Sequence, residues 1–197
     1  MRARGTLVLA GCWTASWAVF KVLPEPAAQR LLHDASTTLP RVTSWPWTLP
    51  VSGLLVQDEL PVWLLALLLG AAPLERAVGT RRALLLLGGV HGGATALSQG
   101  LLGLRVHLGD APHALLTQPD VGPSYLAVAG LAGAAAVGRT PWSRLLPFVA
   151  LLAGLPELLE GLAGADLAAT GHLAAVVLGL GGGAVLHRRA CGPGPRA

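Results

Sequence analysis

The sequence predicts an all-α membrane protein with six transmembrane helices. Of its 197 residues, 53% are hydrophobic and only 12% are charged, whereas soluble domains carry about 25% charged residues. Apolar segments near the length needed to cross a bilayer, about 20 residues, recur between polar or Pro/Gly-rich breaks. The basic residues also fall mainly in alternate connections, as expected of a multi-pass protein.

The apolar segments give six spans in order. They cover residues 5–23, 60–74, 83–103, 124–137, 145–159 and 167–186. The first span ends before Pro24-Glu25-Pro26, and a long polar connection then runs to about Glu59 with a weakly amphipathic stretch suited to the membrane interface. The fourth span is the shortest. The Gly/Pro-rich residues 191–197 are predicted to form a disordered cytoplasmic tail.

Charge placement predicts the orientation. If the N-terminus is cytoplasmic, the exterior segments hold four basic residues, namely Lys21, Arg30, Arg41 and Arg105. The cytoplasmic segments then hold ten: Arg2, Arg4, Arg76, Arg81, Arg82, Arg139, Arg144, Arg188, Arg189 and Arg196. The positive-inside rule therefore predicts that both termini are cytoplasmic. The simple layout favours a bacterial cell membrane.

Other site classes find little support in the sequence. The net charge is +4, but the basic residues are scattered between apolar segments rather than gathered on one face, which argues against nucleic-acid binding. Cys12 and Cys191 lack metal-ligand spacing, as do His91, His107 and His113. The simplest interpretation of His91 is packing beside Gly92 and Gly93.

Two polar residues at membrane depth are candidates for chemistry. His172 lies in the outer third of the sixth span, where an ionisable side chain is costly without a partner or a water-filled cavity. The alternative is a neutral histidine that is hydrogen-bonded to a neighbouring helix. Ser124 opens the fourth span after Pro123, and the alternative there is a helix N-cap.

Ser124 and His172 together support a catalytic site more strongly than either residue does alone. A short fourth helix suggests that the loop before it enters the membrane, which would bring Ser124 to the depth of His172. The small residues Ala127, Gly130 and Ala134 on one helix and Ala175, Gly179 and Gly183 on the other would permit close approach. A serine hydroxyl about 3 Å from a histidine nitrogen is an activated nucleophile.

Three neighbours of Ser124 are possible site-lining residues. These are Asp120, Gly122 and Tyr125, of which Asp120 and Tyr125 could tune the site. The alternative for Asp120 is a solvated loop charge.

At these residues the sequence resembles the rhomboid family of intramembrane serine proteases. The segment Glu75–Arg82 (ERAVGTRR) is similar to that family's acidic-arginine, glycine and paired-arginine motif after the second helix. Gly122–Tyr125 (GPSY) falls at its Gly-x-Ser-Gly motif, and Gly171-His172 with the later glycines resembles its last helix.

The resemblance implies a rhomboid-like six-helix bundle over residues 1–190. It implies that Ser124 is the nucleophile and His172 the general base, and that transmembrane segments of other proteins are cleaved without a cofactor. The sequence departs from the family pattern in two places. Tyr125 replaces the second glycine, and the segment Asp58–Trp63 lacks the histidine and asparagine that help to hold the oxyanion.

Three functional hypotheses follow. The intact Ser124 and His172 favour an intramembrane serine protease. Tyr125 and the missing oxyanion side chains favour an inactive rhomboid-fold pseudoenzyme that binds transmembrane clients. A small membrane transporter or scaffold is the third, although the sequence has no internal repeat of the kind that many transporters show.

Overall fold

A computed structural model describes residues 3–191 of the chain. The structure is 81% helical and has no β-strand in that range, so the all-α class is confirmed. One isolated antiparallel pair, Thr37 with Asp120, joins the two long connections. Residues 192–197 of the predicted tail lie outside the described residues, and helix α10 extends to Cys191.

Ten α-helices follow one another along the described chain. They are α1 (Arg4–Val22), α2 (Glu25–Ala35), α3 (Leu39–Ser44), α4 (Thr48–Ser52), α5 (Leu60–Leu69), α6 (Ala71–Val78), α7 (Thr80–Leu108), α8 (Ser124–Val137), α9 (Pro141–Leu158) and α10 (Leu167–Cys191). Two short 3₁₀ segments, His113–Thr117 and Leu162–Gly164, lie before α8 and α10.

Helices cover all six predicted spans, and the second span is divided between α5 and α6. Three stretches of the described chain are long and apolar enough to cross a membrane: Arg4–Val22, Leu60–Val78 and Leu167–Arg189. Helix α8 is apolar but shorter. The count of six spans therefore stays a prediction, while the membrane character of the chain has direct support.

Helix α8 forms the centre of the bundle because its side chains are small. Eleven of its 14 residues are buried, and it packs against α5, α6, α7, α9 and α10. A Cβ atom added at Gly179 of α10 would lie 2.9 Å from Cβ of Ala132, and one at Gly183 would lie 2.9 Å from the Gly133 carbonyl oxygen. The small residues thus let these two helices approach closely, as the sequence predicts.

Glu75 joins three helices at one end of the bundle. Its buried carboxylate accepts hydrogen bonds from the backbone amides of Gly5 and Thr6, at 2.9 and 2.8 Å, and from the hydroxyls of Thr6 and Thr80. The first amides of a helix have no partner within the helix, and a negative charge there is favourable. The acidic residue of the ERAVGTRR segment therefore caps α1.

The connection between α1 and α5 folds onto α7 through His91. The His91 Nε2–H donates to the Leu49 carbonyl at 2.9 Å and lies 3.3 Å from Ser52 Oγ. Ser52 in turn accepts from the Thr37 hydroxyl at 2.7 Å. Packing beside Gly92 and Gly93 is thus an incomplete account of His91, because this side chain binds α4.

Candidate active site

Ser124 begins α8 beside a small open cavity. The half-buried residue is the first of the helix, and the cavity of about 200 Å³ is also lined by Gln57, Asp58, Glu59 and Trp63. Its hydroxyl makes no hydrogen bond to the described residues. The side chain is therefore available on the wall of an accessible space.

The N-cap interpretation of Ser124 is wrong. The residue in the N-cap position is Pro123, and no side chain caps α8. The first hydrogen bond across the start of the helix runs from the Ala127 amide to the Pro123 carbonyl at 2.8 Å. The amides of the first turn, beginning with Ser124 and Tyr125, consequently have no partner within the helix.

The chain reaches Ser124 through an unusual backbone turn. Gly122 has φ +124°, a conformation that favours glycine, and its amide donates to the Ser52 carbonyl at 3.0 Å. Across the cavity, Glu59 is one of only two described non-glycine residues with positive φ, at 56°. Such conformations are costly and cluster at functional sites.

His172 lies in the first turns of α10 with one ring nitrogen fixed. Its Nδ1 is 2.8 Å from the Leu158 carbonyl oxygen at the end of α9. A carbonyl oxygen only accepts, so Nδ1 carries the proton and Nε2 presents a lone pair. The buried Nε2 has no hydrogen-bond partner among the described residues. This is the tautomer that a general base requires.

Tyr125, rather than Ser124, contacts His172. The two rings meet edge to face with centroids 5.2 Å apart, and no hydrogen bond joins Ser124 to His172. The Tyr125 ring also covers Gly171, where any Cβ atom would overlap the phenol. Of the residues predicted at the site, the fold brings Tyr125 and His172 together and leaves Ser124 on the cavity wall.

Asp120 is not the solvated loop charge that was the alternative for it. Its backbone pairs with Thr37, with N–O distances of 3.0 and 3.2 Å, and its buried Oδ2 atom has no hydrogen-bond partner among the described residues. Burial raises the pKa of this carboxyl to about 6, opposed in part by Gln99 and Tyr125 and reinforced by the negative charge of Asp166. Asp120 thus lies beside Tyr125 and does not line the Ser124 cavity.

Sequence reasoning missed Gln57 at this site. Gln57 directly precedes the segment Asp58–Trp63 and lines the same cavity as Ser124. An amide side chain is a suitable donor to an oxyanion. The only sequence signal was its place near the start of the second predicted span.

Comparison with known protein families gives a match over nearly the whole chain. A family model described as rhomboid-like protein matches residues 1–190 of the chain. No curated protein and no solved structure matched. The match covers nearly the whole chain, and three described stretches are apolar enough to span a membrane. The chain is an integral membrane protein and belongs to the rhomboid-like protein family.

Proposed function

We propose that this rhomboid-like protein is an intramembrane serine protease that cleaves transmembrane segments of other proteins. The observation that supports the proposal most strongly is that Ser124 and His172 each have a polar atom without a hydrogen-bond partner among the described residues. Ser124 has an unengaged hydroxyl on an open cavity, and His172 has an unpaired Nε2 lone pair in a fixed tautomer. Buried polar atoms without partners are costly, and a catalytic role explains why one is retained.

The proposed reaction begins with proton transfer from Ser124 Oγ to His172 Nε2 while Oγ attacks the scissile carbonyl carbon. The imidazolium then returns the proton to the leaving amine. Water hydrolyses the resulting acyl-enzyme with His172 again as base. These steps balance without a metal or cofactor.

The oxyanion of the tetrahedral intermediate would face the start of α8. The first-turn amides there lack intrahelical partners, and the helix dipole favours negative charge at this end. The Gln57 carboxamide lines the same cavity and supplies a further donor. Removal of a single oxyanion donor costs about 10²–10³ in kcat, so these groups offset the absent histidine and asparagine.

Catalysis requires a local movement. Ser124 Oγ and His172 Nε2 must come within about 3 Å of each other, and no hydrogen bond joins them here. Catalytic hydrogen bonds often form only in the substrate complex. The Tyr125 ring, edge-on to His172, is the group that must shift.

A client-binding protein without proteolysis is the second candidate. The observation that favours it is the Tyr125 ring against His172, which fills space next to the proposed base. In that case the cavity beside Ser124 would serve recognition alone. Its partners would still be transmembrane segments in the bilayer.

Labelling by a fluorophosphonate probe tests the proposal. We expect the purified full-length chain in lipid bilayers to be labelled, because the probe reacts with activated serines. Labelling should be lost in Ser124→Ala and fall at least 100-fold in His172→Asn, a change that keeps a donor for the Leu158 carbonyl.

The matched control is Ser44→Ala, which removes an exposed serine of α3 and should leave labelling unchanged. Thermal unfolding of each variant separates loss of chemistry from loss of fold. Absence of labelling in a folded wild type, beside an active serine hydrolase that is labelled, would overturn the protease and leave the client-binding protein.

A further inference from the structure

Two neighbouring cavities lie at the opposite end of α8 from Ser124. One, of about 420 Å³, lies between α5, α6 and α9 and reaches Leu68, Arg76 and Trp142. The other, of about 810 Å³, lies between α6, α9 and α10 and reaches Arg144 and His187. They meet at Ala77, Arg139 and Thr140, which line both. The charge bias assigns this end of the bundle to the cytoplasmic side.

Three arginines at these cavities have no acidic partner among residues 3–191. Arg76, Arg139 and Arg144 are exposed, and no carboxylate of residues 3–191 lies within 4.0 Å of their side-chain nitrogens. Glu75, the acidic residue next to Arg76 in the sequence, is turned inwards to cap α1. The openings of the two cavities therefore carry three positive charges that no described carboxylate neutralises.

Two of the arginines are held in place by backbone carbonyls. Arg139 Nη2 donates to the Ala77 carbonyl at 3.0 Å, and Arg144 Nε donates to the Gly138 carbonyl at 2.7 Å. Each guanidinium has further N–H groups for a ligand, since it carries five donors. The Arg76 side chain makes no hydrogen bond within residues 3–191 and can contribute all five of its donors.

The other wall of the smaller cavity is apolar and open. Trp142 is 68% exposed, Leu68 is 55% exposed and Leu146 is 51% exposed. In a membrane protein such surfaces face acyl chains, and tryptophan prefers the level of the headgroups. The charged mouth and the apolar wall thus run from headgroup level into the hydrocarbon layer.

We infer that these cavities bind one anionic glycerophospholipid of the surrounding leaflet. Its phosphate would lie between Arg76, Arg139 and Arg144, and an acyl chain would follow Leu68, Leu146 and Trp142. Basic pockets between transmembrane helices on the cytoplasmic side are the general form of such a site. The first cavity is of the size that binds small ligands, about 300–1,000 Å³. The inference does not depend on proteolytic activity.

Native mass spectrometry of the full-length protein in detergent tests the site. We expect one phosphatidylglycerol to remain bound where phosphatidylcholine, which has no net charge, dissociates. Arg76→Gln/Arg139→Gln should weaken phosphatidylglycerol binding about 25-fold, because each arginine beside an anionic lipid contributes about fivefold. The charge-preserving Arg76→Lys/Arg139→Lys should bind phosphatidylglycerol more tightly than the double glutamine variant, because it keeps both positive charges.

The matched control is Arg81→Gln/Arg82→Gln, which removes two exposed arginines at the same end of the bundle but outside both cavities. This pair should leave binding unchanged. An equal loss in the control would overturn the site and show attraction to surface charge alone. Retention of binding in Arg76→Gln/Arg139→Gln would overturn it as well.

Two further measurements separate the sources of the phosphate and the effects on folding. Binding of glycerol 3-phosphate as tightly as phosphatidylglycerol would overturn the lipid assignment, because the apolar wall would then contribute nothing. If the double glutamine variant does not fold, Arg76→Gln alone serves, since that side chain holds no part of the described fold. Its expected loss is about fivefold.

Discussion

At the scale of single residues, the fold gives several charged or polar side chains a role that their position in the sequence does not reveal. Glu75 caps α1 from 69 and 70 residues away. Asp120 is in the opposite situation, because its Oδ2 atom is buried without a hydrogen-bond partner among the described residues. Unpaired burial is the costlier situation.

Asp120→Asn should stabilise the protein at neutral pH. The pKa of Asp120 is raised from 3.8 to about 6, so the folded state binds its proton more tightly than the unfolded chain. Stability associated with this group is therefore greatest below about pH 4 and is lost as the pH rises through about 6. A shift of about two pKa units limits the gain to about 3 kcal/mol.

The measurement is thermal unfolding in detergent at pH 4 and pH 7.5. Asn keeps the backbone pairing with Thr37, so the melting temperature should rise at pH 7.5 and approach wild type at pH 4. Asp110→Asn, which removes an exposed carboxylate nearby in the sequence, should change neither value. Equal melting temperatures for Asp120→Asn and wild type at both pH values would contradict the buried charge.

At the scale of elements, the fold depends on how closely α8 approaches its neighbours. An added Cβ at Gly130 would lie 3.0 Å from the Ala71 amide nitrogen, and one at Gly70 would lie 2.5 Å from the Leu131 nitrogen. Backbone meets backbone at this crossing, so no flexible side chain can move aside. Such contacts between small residues are the usual basis of helix association in lipid.

Gly130→Val should therefore destabilise the bundle by about 1–3 kcal/mol, the range for overpacking. Gly89→Val is the matched control, because Gly89 lies in helix α7 and a Cβ there meets nothing within 4 Å. Both variants place a β-branched residue in a helix, so the difference between their melting temperatures isolates the crossing. A Gly130→Val variant as stable as Gly89→Val would show that α8 is not packed as described.

At the scale of the whole molecule, the orientation in the membrane is the property most open to a direct test. The arrangement with ten basic residues inside and four outside predicts that the α7–α8 connection is exterior and that the start of α7 is cytoplasmic. In a Cys12→Ala/Cys191→Ala background, an impermeant maleimide should label Gln118→Cys in intact cells. Arg81→Cys should be labelled only after permeabilisation.

The reverse labelling pattern would show that the protein has the opposite orientation in the membrane, with the Ser124 cavity at the cytoplasmic end. Labelling of both positions in intact cells would mean that they lie on the same side of the membrane, so that α7 does not cross it. Either result would contradict the predicted six-span topology while leaving the family assignment intact.

The sequence alone identified the membrane class, the helical segments at the predicted spans and the family resemblance, and it predicted Ser124 and His172 as the site residues. These features are encoded locally, since a transmembrane helix satisfies its own backbone and is recognisable from consecutive apolar residues. The close packing of α8 against α10 could likewise be predicted from the sequence, because both helices have small residues at regular spacing. Asp120 was misread as a loop charge because it lies against residues that are distant in the sequence, Thr37 and Gln99.

Only the tertiary structure decided which atoms meet at the site. It placed Tyr125 rather than Ser124 against His172, left the start of α8 without a side-chain cap, and brought Gln57 to the cavity. It also turned Glu75 inwards and left Arg76 facing outwards. Hydropathy and spacing fix helices and their order, but side-chain contacts depend on rotation and approach between segments far apart in the chain, which no local pattern encodes.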